Sequence, residues 1–160
     1  MEIGLMAVTA DETRDLGEAL AALLRAGDLV SLTGEPGAGK TTFVQGVGRG
    51  LGVETAVVSP TFTLIREYEG RLHVHHLDVY RLARIQDVID LGFEEMVDGD
   101  GVTFVEWGGA IEGMLREEYL QVDLTVPDES ERRRIRFIPI GPSWIDRADA
   151  LAAATRGWAS

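Results

Sequence analysis

The residues with the most chemistry in them are Gly34-Glu35-Pro36-Gly37-Ala38-Gly39-Lys40-Thr41, which fit the pattern G-x-x-x-x-G-K-[ST]. Glycines at these positions let backbone amides turn inward and form a nest for anionic oxygens at the positive end of a helix. The lysine ammonium can reach the β- and γ-phosphates of a nucleotide, and the threonine hydroxyl is placed to ligate magnesium. Of the 15 basic residues in the chain, Lys40 is the only lysine. An ammonium on a flexible stem suits that position better than a planar guanidinium. Small GTPases read guanine with an Asn-Lys-x-Asp element, and here the one lysine is already committed to phosphate. The motif therefore predicts a site for ATP with Mg2+ over Gly34–Thr41.

A magnesium ion in such a site also needs an acidic residue at the tip of a neighbouring strand. Val102-Thr103-Phe104-Val105-Glu106 has the pattern of a buried strand that ends on a carboxylate. Trp107 beside it either packs in the core or forms a wall of the site. The run His73-Val74-His75-His76-Leu77-Asp78 is also strand-like, which puts His76 and Asp78 on one face. Three histidines invite a zinc reading, but adjacent residues alternate faces and the run supplies no fourth ligand. The spacing favours Asp78 as a carboxylate near the γ-phosphate, orienting water or magnesium. Arg132, Arg133, Arg134 and Arg136 form a basic group that is either a solvated strand face or the phosphate clamp of a small-molecule kinase.

The flanking sequence must hold these groups in place. Thr9-Ala10-Asp11-Glu12 reads as a capping box, and Leu16, Ala19, Leu20, Leu23 and Leu24 follow at helical spacing, predicting a helix that runs to Gly27. Leu29–Thr33 is a short strand leading into Gly34, and Phe43, Val44, Val47 and Leu51 make a helical face after the loop. Val57-Val58 starts a brief strand before Ser59-Pro60-Thr61, where proline enforces extended backbone. Phe62–Tyr68 and Leu72–Asp78 form a hairpin around Glu69-Gly70-Arg71. A short broken helix over 88–97, a helix over Ile111–Glu118, strands over Tyr119–Val126 and Arg134–Ile140, and a terminal helix over Trp144–Ala154 complete the reading.

This order predicts an α/β fold: one P-loop domain over residues 1–160, with a mixed, partly antiparallel sheet flanked by helices. Its core spans about 9–140, and 141–160 forms a C-terminal helical extension. The 160 residues can bury a sizeable core without cross-links, and the chain has no cysteine. A net charge of -12 opposes non-specific binding of nucleic acid by the surface as a whole. The first residues lack a secretory pattern, and no apolar run is long enough to span a membrane, so a cytoplasmic location is expected.

Taken together, the motifs resemble the bacterial TsaE (formerly YjeE) ATPase family, which is needed to form threonylcarbamoyladenosine in tRNA. The likeness rests on Gly34–Thr42, Ser59-Pro60-Thr61-Phe62-Thr63-Leu64, Glu67-Tyr68, His76-Leu77-Asp78-Val79-Tyr80-Arg81, Leu91-Gly92 and Glu106-Trp107. It implies ATP or ADP held by Gly34, Pro36, Gly37, Ala38, Gly39, Lys40, Thr41 and Thr42, with magnesium on Thr41 and Glu106. It further implies catalytic roles for Asp78, Glu106 and Lys40, and pocket edges near Thr13 and Arg132-Arg133. The family's ATPase is slow alone and acts on a complex of the threonylcarbamoyl-transferring subunit and its paralogous scaffold subunit. That makes the expected function a nucleotide-driven switch, with Ser59-Pro60-Thr61 as a segment sensing the γ-phosphate. Two departures stand out: Gly108-Gly109 where the family often has Pro-Glu, and Glu35-Pro36 where it often has Asp-Leu.

Overall fold

Leu29–Thr33 is buried at every position but the last, the mark of a strand covered on both faces. This strand, β2, lies at the middle of a seven-stranded sheet. With β1 (Ile3–Ala7), β3 (Ile65–Glu69), β4 (His73–Asp78), β5 (Val102–Glu106), β6 (Tyr119–Thr125) and β7 (Arg133–Ile140), the spatial order is β1-β7-β6-β2-β5-β4-β3. The four central strands β6, β2, β5 and β4 run parallel, while β1–β7, β7–β6 and β4–β3 pair antiparallel. The structure is a computed structural model that describes residues 1–60, 64–79, 85–90, 92–106, 115 and 117–160. The expected mixed sheet is what it contains.

Two helices cover one face. Helix α1 spans Ala10–Ala21 and starts as the capping box requires, with the Glu12 amide donating to Thr9 Oγ1 at 3.1 Å. Helix α2 spans Lys40–Gly50. The two approach so closely that a Cβ on Gly46 would stand 1.9 Å from the Arg14 carbonyl oxygen. On Gly17 it would stand 2.2 Å from that of Phe43. Leu16, Leu20, Phe43 and Val47 pack onto Val30, Leu32, Phe104, Val122 and Phe137 of the sheet. On the other face Leu29, Leu77 and Val105 meet Val88 of α3 (Ile85–Asp90) and Phe93 and Val97 of α4 (Phe93–Asp98).

Several expectations shift. The first helix stops at Ala21 rather than Gly27: Leu23 and Leu24 turn back in i to i+3 hydrogen bonds, and Arg71 donates to the Ala21 carbonyl at 2.7 Å. Val57-Val58 belongs to no strand; the Val58 backbone is held by the Tyr68 hydroxyl instead. The first residues, unassigned from sequence, form β1 on the sheet edge, and Ile3, Leu5 and Ala7 join the core. The core therefore reaches past 9–140 at its start, and also at its end, where α5 (Pro142–Ala154) buries Trp144 and Leu151. There Arg147 grips Asp28 with two bonds of 2.7 and 2.9 Å and stacks 3.8 Å from the Trp144 ring. The helix expected over Ile111–Glu118 lies mostly outside the described residues, as do Thr61, Tyr80, Arg81, Leu91 and Trp107.

Candidate functional site

Strands β2, β4 and β5 are parallel, so their C-terminal ends open on the same edge of the sheet, where α/β folds place ligands. The chain leaves β2 at Thr33, turns through Gly34–Gly39, and enters α2 at Lys40. Gly39 caps α2 with φ 103°, a left-handed conformation that side chains resist. At Gly34 a Cβ would meet the Leu124 carbonyl oxygen at 2.7 Å, so the loop hugs β6. Gly34, Pro36, Gly37, Ala38 and Gly39 thus form the turn, and Lys40, Thr41 and Thr42 form the first turn of the helix behind it. First-turn amides have no partner within their own helix and point outward from its positive end.

The two expected carboxylates arrive side by side. Asp78 and Glu106 are register partners at the ends of β4 and β5, and both are buried. Lys40 Nζ donates to the carbonyl oxygens of Gly34 and Glu35 and lies 4.0 Å from Glu106 Oε1. Burial pulls the Lys40 pKa below its ordinary value, and the Glu106 and Asp78 carboxylates oppose that pull. Lysine, glutamate and aspartate therefore share one electrostatic site.

Sequence reasoning did not assign a role to His76. Its Nε2 sits 2.7 Å from Glu106 Oε2, and its side chain is fully buried. The pair leaves Oε1 of Glu106 turned towards Lys40 while Oε2 is tied to the imidazole. The period of two along β4, which already put His76 on the face of Asp78, was the available signal. The register of β4 against β5 was not available, and only the register brings His76 to Glu106.

The basic residues of the β6–β7 region separate. Arg133 reaches the loop, donating from Nη2 to the Gly37 carbonyl at 3.3 Å, and its Cγ lies near Gly39. Thr13 of α1 also borders Gly39, and is buried there. Arg132 instead lies 3.7 Å from Asp128, and Arg136 pairs with Glu2 and Asp123. These guanidinium groups do not converge as a clamp would.

Oxygen donors from Thr41 and Glu106 suit a hard cation such as magnesium, which accepts carboxylate and hydroxyl oxygen and keeps several waters. The inward-turned loop at the start of α2, with an ammonium beside it, suits the phosphates such an ion accompanies. Asp78 stands beside Glu106 in the register of β4 and β5, and its charge is felt at Lys40.

Known proteins resemble this chain over most of its length. Residues 7–135 match the family model described as "Threonylcarbamoyl adenosine biosynthesis protein TsaE". The chain is 42% identical to a tRNA threonylcarbamoyladenosine biosynthesis protein TsaE of Treponema pallidum, over 78% of this chain and 92% of that one. It is likewise 42% identical to the Bacillus subtilis protein of that name, over 84% of each, and to the Streptomyces coelicolor one, over 82% and 93%. The crystal structure of Bacillus subtilis YdiB superposes with a TM-score of 0.82 at 34% identity, covering 96% of this chain and 95% of that one. A family match across the loop, both carboxylate strands and the helices that position them leaves one assignment: the chain belongs to the TsaE family.

Proposed function

We propose that this protein binds magnesium–ATP at Gly34–Thr42, hydrolyses it slowly, and uses the cycle as a switch in forming threonylcarbamoyladenosine on tRNA. The family supplies the pathway, since the relatives are described as tRNA threonylcarbamoyladenosine biosynthesis proteins. The observation that carries the chemistry is the meeting of Lys40, Glu106 and Asp78 at the sheet edge beside the loop. Lys40, now held by loop carbonyls, would turn to the β- and γ-phosphates on binding. Thr41 and Glu106 would hold magnesium, which when bound neutralises phosphate charge and helps stabilise the transferring group. Asp78 would align the attacking water and accept its proton. Arg133 closes the loop side of the pocket.

The switch reading draws on Leu64, the one non-glycine residue with positive φ among the described residues, at 67°. Its amide donates to the Pro60 carbonyl and its own carbonyl accepts from the Asp78 amide. A leucine in that conformation costs about 1–2 kcal/mol, and such strain gathers at sites that move. It is bonded to Pro60 on one side and Asp78 on the other, so a change at one end would be passed to the other.

The whole chain, 1–160, would act as one unit on its partners, the threonylcarbamoyl-transferase subunit and the scaffold subunit that pairs with it. No helix among the described residues is long and apolar enough to cross a membrane, and the proposed place of work is the cytoplasm, with the tRNA. Gel filtration of the chain with that complex, in ATP, in ADP and without nucleotide, tests the switch. Association that changes with the nucleotide is expected. Equal co-elution in all three conditions would overturn it.

A further inference from the structure

At the other end of β4 from Asp78, a second group of polar side chains comes together on the opposite face of the strand. His73 and His75 alternate with Val74 and so share that face, and their rings meet edge to face with centroids 4.6 Å apart. The antiparallel register of β3 on β4 sets Glu67 opposite His75 and Glu69 opposite His73. Glu67 Oε1 lies 3.1 Å from His73 Nε2 and 3.2 Å from His75 Nδ1. One ligand atom from each of Glu67, His73 and His75 falls within 4.8 Å of the other two. His75 Nδ1, though close to Glu67, makes no hydrogen bond of proper alignment among the described residues.

We infer that Glu67 Oε1, His73 Nε2 and His75 Nδ1 form a binding site for one zinc-class divalent ion on the β3–β4 hairpin. Two imidazole nitrogens and a carboxylate oxygen are the donors that such an ion selects, and three protein ligands leave a position for water. The spacing suits it. Ligands at about 2.0–2.1 Å around a tetrahedral ion stand about 3.3 Å from one another, close to the two distances to Glu67 Oε1. The outer support is also present: Glu69 bonds the other ring nitrogen of His73, Nδ1. A carboxylate in that place fixes the ring and the tautomer that leaves Nε2 free to ligate.

Charge favours the same reading. The carboxylates of Glu67 and Glu69 both face the His73 ring, and Glu67 faces the His75 ring as well. The pocket thus attracts positive charge. The histidine run alone could not show Glu67 as a ligand, because Glu67 comes from the partner strand of the hairpin. The ion site is separate from the nucleotide site: His76 and Asp78 occupy the other face of β4.

The test is calorimetric titration of the chelator-stripped full chain with zinc alone, in the presence of millimolar magnesium. One equivalent should bind, and His73→Ala and His75→Ala should each weaken that binding at least about tenfold. Glu67→Gln, which keeps the shape of the side chain, should do the same. Cobalt, substituted for zinc, should give visible absorption bands that disappear in the His75→Ala variant. Circular dichroism and magnesium–ATP affinity of the variants, expected to match wild type, show that the fold and the nucleotide site survive. Zinc bound only weakly and in several equivalents, or with the same affinity in wild type and variants, would overturn the site.

Discussion

The tie between His76 and Glu106 makes a sharp demand on metal-dependent binding. Replacing His76 with Phe fills the fully buried position but removes the group that lies 2.7 Å from Glu106 Oε2. That oxygen belongs to a side chain that is itself only 6% exposed. Left without its partner, it costs about 1–3 kcal/mol in the folded protein without nucleotide. The orientation of the carboxylate is lost as well: with Oε2 released, Glu106 can swing onto Lys40, now 4.0 Å from Oε1. A lysine closer to Glu106 is less ready to meet phosphate, and the glutamate is less ready to meet magnesium. Groups that orient a metal ligand are worth about 10–100-fold in affinity, or about 1.4–2.7 kcal/mol.

The assay is a pair of titrations, with ATP plus magnesium and with ATP plus chelator, on wild type, His76→Phe and His76→Gln. Magnesium–ATP affinity should fall 10–100-fold in His76→Phe, while the metal-free affinity changes much less. His76→Gln retains a donor near the carboxylate and should recover part of the loss. A urea transition for each variant separates folding from binding. If His76→Phe unfolds more easily yet binds magnesium–ATP within about twofold of wild type, the histidine merely packs against a buried acid. The positioning argument then fails.

Other substitutions probe other links. Lys40→Ala should abolish tight ATP binding, with little change in thermal stability without nucleotide, and wild-type affinity in calorimetry would remove the phosphate role of the loop. Asp78→Asn should lower partner-stimulated ATP turnover by about 100-fold or more with a smaller change in ATP affinity, as for a lost transition-state interaction. Arg147→Met strands the buried Asp28 carboxylate and should cost about 3–5 kcal/mol in urea unfolding. A milder loss there would show that water reaches Asp28. Gly46→Ala forces α1 away from α2 and should cost about 1–3 kcal/mol, read as a lower melting temperature.

The nucleotide loop was legible because its chemistry is local. The motif residues from Thr33 to Thr42 lie in one unbroken stretch, and the capping box of α1 is local in the same sense. Glu106 and Asp78 could be read as strand ends, since a buried run that closes on a carboxylate is itself a pattern. What escaped the sequence is everything that depends on register between distant segments. His76 against Glu106 and Glu67 against His75 follow from strand pairings that no single run of residues encodes. The strand Ile3–Ala7 was missed because its partner β7 lies at the other end of the chain, and five residues carry little pattern of their own. The early end of α1 has a similar cause: Arg71, from the hairpin turn, caps the Ala21 carbonyl.

The charge arrangement bears on why this site should prefer the metal complex to the bare nucleotide. Two acidic residues, Asp78 and Glu106, stand beside one ammonium, so the buried centre is not prepared for an anion by itself. Like charges about 4 Å apart repel by about 4 kcal/mol at the effective dielectric of a protein surface. Triphosphate oxygens entering next to both carboxylates would meet that repulsion, and Lys40 could offset only part of it while still attracted to Glu106. A divalent cation would reverse the sign: each carboxylate would become attractive if the phosphates arrived with magnesium. Loss of the γ-phosphate would remove charge from the region where both acids act, and the balance holding the cation and the loop would change with it. On the proposed function, the carboxylates would do two things with one set of charges, selecting the metal complex on entry and registering the loss of phosphate afterwards.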